Sequence, residues 1–269
     1  MASMEIDGIL FNVLHEGDAA NPLVVLCHAL MSNMHMWDST VAALHQAGFS
    51  TLRYDHVGHG ETSEPPADQV GKLHFDDYCR HIHEMVERTT PGKSPFGFIG
   101  CSIGGVLALR YALMYPGALS KVVSCAAPGL TTLEGAEGIW GDRIAIFRNQ
   151  GVDKLAEMTV ARWFPEPCPP VIREVALKQN RSCTLAGYVT CAEAVLHYDY
   201  TSELGQIQDE DVMVLAGEKD TAIGPREILD DVATRIRGAK RVLMRDTGHI
   251  PPMHQAEEFE RLVIPFLKQ

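Results

Sequence analysis

The chain has 269 residues, 46% of them hydrophobic, so it can bury a substantial core. Its formal net charge of -12 at pH 7 gives a negative field that repels nucleic-acid phosphates and anionic lipid headgroups, so we expect neither as a partner. No apolar run approaches the roughly 20 residues of a membrane span, and residues 1–8 lack the pattern of a secretory signal. The 7 cysteines include no C-x-x-C pair and are expected to be reduced thiols, which fits a cytoplasmic address.

Short apolar runs alternate with helical periodicity in the first half of the chain. Residues 23–27 form an apolar run typical of a buried strand, and residues 37–48 carry apolar side chains at helical spacing up to a glycine. The predicted elements that follow are strand 50–54, helix 75–88, strand 95–99, helix 103–115 and strand 121–125. This order predicts βαβ units, and therefore an α/β fold whose sheet is mostly parallel and flanked by helices.

The alternation stops after Pro128. Between residues 130 and 200 no strand pattern is convincing, and a cluster of prolines at 165–170 predicts a rigid turn. The predicted helices of this stretch are 142–149, 152–163, 171–180 and 184–197. Strand patterns return at 212–216 and 241–244, followed by helices at 227–236 and 257–267 respectively. We therefore expect a core of residues 1–129 and 201–269, split by a helical cap at 130–200.

The strongest local motif lies at a predicted strand-to-helix junction. Residues 100–104 read G-C-S-I-G, which matches the G-x-S-x-G nucleophile elbow, with Ser102 at its centre. The small residues let the crowded turn present the serine hydroxyl, and the amide of Ile103 opens the next helix, where it can point at an oxyanion. A glycine-rich turn of no catalytic importance is the alternative, so the assignment depends on the other residues.

An acid and a base follow in the order that such an elbow requires. Asp220 comes after the strand at 212–216, and His249 comes after the strand at 241–244. Open parallel sheets place their ligands just beyond the carboxyl ends of strands, and all three side chains are predicted there. We therefore expect Ser102 as nucleophile, His249 as base and Asp220 as the carboxylate that orients the histidine.

Other side chains compete for these roles or for different ones. Glu218 is an alternative acid, and His254 is an alternative base, although it lies at the onset of the final helix. Cys101 should face away from the serine. His81 and His83 lie two apart on a predicted helix, which favours a solvated surface over a metal site.

A second oxyanion donor is expected in the loop after the strand at 23–27. Leu30 is the candidate donor, and His28 is expected to shape this loop by hydrogen bonds rather than to act as a base. Ala29 stands where a glycine is usual. His56 and His59, in the loop after the strand at 50–54, are expected to stabilise a turn.

The sequence resembles the 3-oxoadipate enol-lactone hydrolase branch of the α/β hydrolases over nearly its whole length. Residues 52–63, L-R-Y-D-H-V-G-H-G-E-T-S, are similar to that branch's R-Y-D-x-R-G-H-G-x-S stretch. Within the expected cap, W-G-D-R-I at 140–144, R-W-F at 162–164 and G-Y-V-T-C at 187–191 resemble the branch's W-x-x-R-I, R-W-F and G-Y-x-x-C signatures.

The resemblance assigns the triad roles to Ser102, Asp220 and His249. It also makes Trp140 and Arg143 candidates for the pocket wall and for contact with a substrate carboxylate. The branch has the C-terminal pattern G-H-x-x-x-x-E-x-P, and this chain departs from it. A histidine stands at 254 in place of the glutamate, and an alanine stands at 256 in place of the proline. That departure argues against assuming the same substrate.

Together these features predict a serine hydrolase that acts on a small lactone or carboxylic ester through an acyl-enzyme, without a metal or organic cofactor. Trp140, Trp163 and Tyr188 are expected to line an enclosed pocket beneath the cap, the alternative being simple packing of the cap. The alternative to substrate contact for Arg143 is a solvated position on the cap, bonded to a neighbouring acid such as Glu137. Alternative functions on the same fold are carbon–carbon bond hydrolysis, cofactor-free oxygenation or perhydrolysis, and a slow-turnover receptor for a small molecule.

Overall fold

The computed structural model describes residues 2–129, 131–132, 135–208, 211–220 and 226–269. The strands in these ranges are β1 (Ala2–Ile6), β2 (Ile9–Glu16), β3 (Leu23–Cys27), β4 (Ser50–Tyr54), β5 (Gly97–Cys101), β6 (Lys121–Cys125), β7 (Asp211–Gly217) and β8 (Lys240–Met244). They form one sheet in the order β1-β2-β4-β3-β5-β6-β7-β8. β1 and β2 run antiparallel to their neighbours, and all pairs from β4 to β8 are parallel.

In the same ranges, most of the α-helices connect one strand to the next along the chain. They are α1 (Asp38–Gln46), α2 (Phe75–Thr89), α3 (Ile103–Met114), α4 (Ala136–Trp163), α5 (Pro170–Asn180), α6 (Leu185–Leu196), α7 (Arg226–Arg235), α8 (Pro251–His254) and α9 (Ala256–Leu267). None of these helices is long and apolar enough to cross a bilayer. The predicted α/β class is confirmed, with its mostly parallel sheet and flanking helices.

The four central strands are buried along their whole length, which explains why the sequence predicts them so well. Every residue of β3, β4, β5 and β6 is buried. Strands covered by helices on both faces need apolar side chains on both, so they read as continuous apolar runs. Their carboxyl ends meet at one edge of the sheet, and that edge carries the candidate site.

The sequence analysis missed the first two strands. They form a hairpin whose turn, Asp7 and Gly8, has positive φ angles of 50° and 78°. An Asp-Gly pair favours such a two-residue turn, because both positions need the left-handed region. Burial alternates at the start of β2, where Ile9 and Phe11 are buried and Leu10 is 49% exposed. This alternation and the turn pair were the available signals.

Helices α4, α5 and α6, which we call the cap, lie between β6 and β7. The two helices predicted at 142–149 and 152–163 are present as the two halves of α4, which meet at the non-helical Gly151 (φ 86°, ψ 170°). The first half begins earlier than predicted, at Ala136. An antiparallel bridge between Thr131 and Asp199 joins the chain on either side of the cap. Residue 130, where the sequence analysis begins the cap, is outside the described residues.

The cap contacts the core through backbone as well as side chains. A Cβ added to Gly187 on α6 would lie 2.6 Å from the Cα of Gly58 and 2.7 Å from the Gly58 carbonyl oxygen. The N–H of Thr184 donates to the same carbonyl at 2.8 Å. The cap and core backbones are therefore too close here for any residue larger than glycine at position 187.

Candidate active site

Ser102 occupies a strained turn between β5 and α3. Its φ of 58° and ψ of -119° are unusual for a residue with a side chain. A Cβ at Gly100 would lie 1.8 Å from the carbonyl oxygen of Gly104, and one at Gly104 would lie 2.2 Å from that of Cys27. Only glycine fits either position, so the G-x-S-x-G spacing is a steric requirement of this turn.

The structure brings the three predicted triad side chains together. His249 Nε2 lies 3.0 Å from Ser102 Oγ, and His249 Nδ1 lies 2.6 Å from Asp220 Oδ2. Asp220 and His249 are 4% and 0% exposed, so water does not compete for their hydrogen bond. With Nδ1–H donating to the carboxylate, Nε2 keeps its lone pair and can accept the serine proton.

The loop that carries the histidine is fastened to the cap. The backbone N–H of His249 donates to the carbonyl of Trp163 at 2.9 Å, and Gly248 N–H donates to His254 Nδ1 at 2.9 Å. His254 therefore supports the loop and does not face the serine. Glu218 accepts from the Asp246 N–H and is exposed. Neither rival takes a position in the triad.

Among the described residues, two backbone N–H groups beside the serine, those of Leu30 and Ile103, have no protein acceptor. Ile103 is the first residue of α3, and the first N–H groups of a helix have no acceptor within it. In the described part of the chain, the Leu30 N–H donates to no protein atom. Both residues line the same cavity as Ser102, which is the arrangement that an oxyanion hole requires.

A small cavity of about 20 Å³ lies between the sheet edge and the cap. Its walls include the residues that the sequence analysis assigned to the pocket, which are Trp140, Arg143, Trp163 and Tyr188. Arg162 also lines the cavity. Tyr188 and Trp163 are 2% exposed, so both also pack the cap. These aromatic side chains therefore line the cavity and also pack the interior of the cap.

Two arginines enter this cavity without acidic partners. Arg143 stacks on Trp140, its guanidinium carbon 4.8 Å from the ring centroid. Neither Arg143 nor Arg162 forms an ion pair with a described residue, so the pairing with Glu137 is absent. The Nε of Arg162 is buried and has no hydrogen-bond partner.

Burial and mutual repulsion lower the pKa of Arg162 to about 10, and burial lowers the pKa of Arg143. Both side chains therefore stay cationic at neutral pH. An unpaired buried donor is costly unless a ligand satisfies it, so the site is suited to an anionic group. The sequence analysis did not assign Arg162 to the pocket. Its place in the R-W-F run at 162–164 was the available signal.

The surface prediction for His81 is wrong. The side chain is buried, packs beside Phe11 and bonds to Asp7 at 3.1 Å. His83 is half-buried and bonds to the Tyr111 hydroxyl at 3.0 Å. The two rings do point apart, but α2 is covered on more of its circumference than its polar sequence indicates, because the β1–β2 hairpin packs against it.

Known proteins share this architecture. A 3-oxoadipate enol-lactonase 2 from Acinetobacter baylyi is 24% identical over 97% of this chain and 94% of that protein. The enol-lactonase from Burkholderia xenovorans LB400 superimposes with a TM-score of 0.90 and 24% identity over 100% of both chains. A hydrolase from Pseudomonas aeruginosa PA01 has a TM-score of 0.87 and 26% identity over 98% of this chain and 96% of that one.

These relatives confirm the resemblance inferred from the sequence, and they support a hydrolytic enzyme. The family model for the alpha/beta hydrolase fold matches residues 22–158, which carry β3 to β6, the elbow and the first cap helix. With the sheet order, the elbow and this match in agreement, the chain belongs to the α/β hydrolase fold family.

Proposed function

We propose that the protein is a serine hydrolase that opens a small lactone or carboxylic ester bearing a negative charge. One observation carries the proposal: Ser102 and His249, hydrogen-bonded to each other and through His249 to Asp220, line a cavity with two arginines that form no ion pair with a described residue. The triad supplies the chemistry, and the arginines select the substrate.

The reaction follows from the positions of the side chains. Ser102 Oγ attacks the substrate carbonyl while its proton passes to His249 Nε2. The N–H groups of Leu30 and Ile103 stabilise the resulting oxyanion. When the carbon–oxygen bond of the ester breaks, His249 returns the proton to the leaving oxygen, which in a lactone stays tethered to the acyl group. Water then attacks the acyl-serine by the same route.

The arginines support an anionic substrate. Arg143 and Arg162 lie on the cap side of the cavity, and their desolvated guanidinium groups have no acid to pair with among the described residues. A carboxylate accepts two parallel hydrogen bonds from one guanidinium, which fixes its orientation as well as its charge. The enol-lactonases among the relatives favour a lactone as the class to test first.

Replacing the serine tests the mechanism. Ser102→Ala should lower kcat by about 10³- to 10⁶-fold, with far-UV circular dichroism and Tm close to those of the parent. Ser120→Ala, on a residue that precedes β6 at the opposite edge of the sheet, is the control and should keep full activity. Rapid acid quenching during turnover of a slow ester should add one acyl mass to the peptide that contains Ser102.

Undiminished turnover by Ser102→Ala would exclude the serine mechanism. A parent protein that turns over neither esters nor lactones would favour the carbon–carbon hydrolase or oxygenase chemistries of the same fold over ester hydrolysis.

A further inference from the structure

The turn that presents the Leu30 N–H is held from two sides. Residues 29–32 form a β-turn in which Ser32 N–H donates to the Ala29 carbonyl at 3.0 Å, and Met31 has a φ of 70°. A positive φ at this third position is typical of a type II turn and normally selects glycine. With a methionine there, other contacts must offset the strain, which is of order 1 to 2 kcal/mol.

The first of these contacts comes from the core. His59 Nε2 accepts from the Met31 N–H at 3.1 Å, while His59 Nδ1–H donates to the Val57 carbonyl at 2.9 Å. The second bond fixes the ring tautomer and leaves Nε2 as an acceptor for the Met31 N–H, with Cys183 Sγ also 3.3 Å from the same nitrogen. Burial lowers the pKa of His59 to about 4, so the ring stays neutral at physiological pH.

The second contact comes from the cap. The side-chain amide of Asn180, at the end of α5, is assigned with its nitrogen towards the carbonyls of Met31 and Ala176, because the opposite orientation would set oxygen against oxygen; it then donates to each at 3.1 Å. Asn180 is 0% exposed. The neighbouring Gln179 accepts from the Ser32 hydroxyl at 2.9 Å, which adds a second bond from α5 to the turn.

Among the described residues, these bonds leave the Leu30 N–H of the turn without an acceptor. The Ala29 carbonyl also accepts from His28 Nδ1–H at 2.8 Å. Because the Ala29 carbonyl and the Leu30 N–H belong to one planar trans peptide, fixing the oxygen points the N–H in the opposite direction. The Met31 N–H and carbonyl are both bonded, whereas the Leu30 N–H has no acceptor among the described residues, and Leu30 lines the Ser102 cavity.

We propose that His59 from the core and Asn180 from the cap are positioning residues of the oxyanion hole, which clamp the Met31 peptide groups and thereby aim the Leu30 N–H at the reacting carbonyl. This inference rests on the proposed serine mechanism. It gives the cap a role in the chemical step, in addition to enclosing the substrate.

The variants His59→Leu and Asn180→Ser test the clamp. Leucine keeps the volume of His59 and removes the acceptor, and serine is too short to reach the Met31 carbonyl. Each should lower kcat for a neutral aryl ester by about 10- to 100-fold with KM within about twofold, which is less than the roughly 10²- to 10³-fold lost with an oxyanion donor itself. His59→Gln, whose amide oxygen can accept from Met31, should recover most of the loss.

Thr190→Ala is the matched control. Thr190 is a buried cap residue whose hydroxyl accepts from the Gly71 N–H of the core at 3.1 Å, far from the turn. Its replacement removes a cap-to-core hydrogen bond of the same kind. It should lower Tm by a similar amount and leave kcat within about twofold of the parent.

An aryl trifluoromethyl ketone, whose adduct with Ser102 carries an oxyanion, separates positioning from general weakening. Its Ki should rise in His59→Leu and Asn180→Ser by about the factor lost in kcat, while the Ki of a product carboxylate should not change. Parental kcat and ketone affinity in both variants would overturn the clamp. So would an equal loss in Thr190→Ala, or no recovery in His59→Gln.

The serine mechanism is judged separately by Ser102→Ala, so failure of the clamp and failure of the mechanism give different results. If His59→Leu does not fold, Asn180→Ser decides the question, because serine keeps a polar group at the site. In that case full kcat in Asn180→Ser would suffice to reject the clamp.

Discussion

Arg162 illustrates how a single side chain can define the substrate of a site. Its guanidinium is drawn into the cavity next to Arg143, although the two positive charges repel and burial costs both. No acid among the described residues forms an ion pair with either arginine, and the stacking of Arg143 on Trp140 and the Asp220 charge felt by Arg162 offset only part of that cost. A negatively charged substrate would offset it, because charge-assisted hydrogen bonds are the strongest that a carboxylate can form.

Arg162→Met removes the charge and keeps the apolar stem. For an anionic lactone we expect kcat/KM to fall by about 10- to 100-fold, because a charge-assisted bond contributes about 1.5 to 3 kcal/mol and each 1.36 kcal/mol is about tenfold in rate. A neutral ester of similar size should lose no more than about threefold. Arg143→Ala should behave in the same way. Steady-state kinetics on both substrates measure the ratio.

Arg148→Met is the control for these variants, since Arg148 lies on the exposed side of the same helix. Equal losses on charged and neutral substrates would show that the arginines support the cap and do not select an anion.

The elements of the fold were predictable to different degrees, and burial explains the difference. β3, β4 and β6 match their predicted ranges because strands buried on both faces are unbroken apolar runs. β5 is shifted by two residues from 95–99, since the glycines of the elbow do not look like a strand. The β1–β2 hairpin was missed because exposed residues such as Leu10 interrupt the burial of its strands, so neither strand reads as an unbroken buried run.

The candidate site was predictable where local rules apply. The elbow at Ser102 and the loops at strand ends follow from steric and topological rules, so the sequence indicates them. The clamp on Met31 joins residues 149 positions apart in the chain, and Arg162 needs the path of α4 to reach the cavity. No local pattern encodes such contacts.

At the scale of elements, the close approach of α6 to the core is a contact sensitive to substitution. Gly187→Ala should destabilise the protein by about 1 to 3 kcal/mol, because its Cβ would meet the Gly58 backbone and force the elements apart. Urea denaturation measures the loss. Gly138→Ala, on α4 with no atom within 4 Å of the added Cβ, is the control and should be neutral or stabilising.

If Gly187→Ala were as stable as Gly138→Ala, the backbone contact between cap and core would be looser than the geometry indicates.

At the scale of the whole molecule, buried histidines link stability to pH. Burial lowers the pKa of His28, His56 and His59, in the last case to about 4. In the unfolded chain a histidine titrates near pH 6.5. Between these values the unfolded state binds protons that the native state does not, so stability must fall as the pH decreases through this window.

From pH 7 to pH 5, His59 alone should remove about 2 kcal/mol of stability. His59→Gln should therefore flatten the dependence of unfolding free energy on pH by about that amount. The exposed His35→Gln is the control. Urea melts at several pH values give the slopes, and a slope in His59→Gln equal to that of the parent would contradict the assignment.

The bridge between Thr131 and Asp199 has a consequence for how this chain can be recombined. Paired residues of adjacent strands lie only about 5 Å apart, so the two ends of the insertion leave and re-enter the core side by side. The cap is therefore a separable insertion in the chain, and a relative's cap could replace it without altering the strand order of the sheet. The exchange would still affect the chemistry, because the exchanged segment would remove Asn180 and with it one of the two bonds that hold Met31. A chimera that folds well and binds its new substrate would still be a slow enzyme unless the replacement brings a donor to that carbonyl.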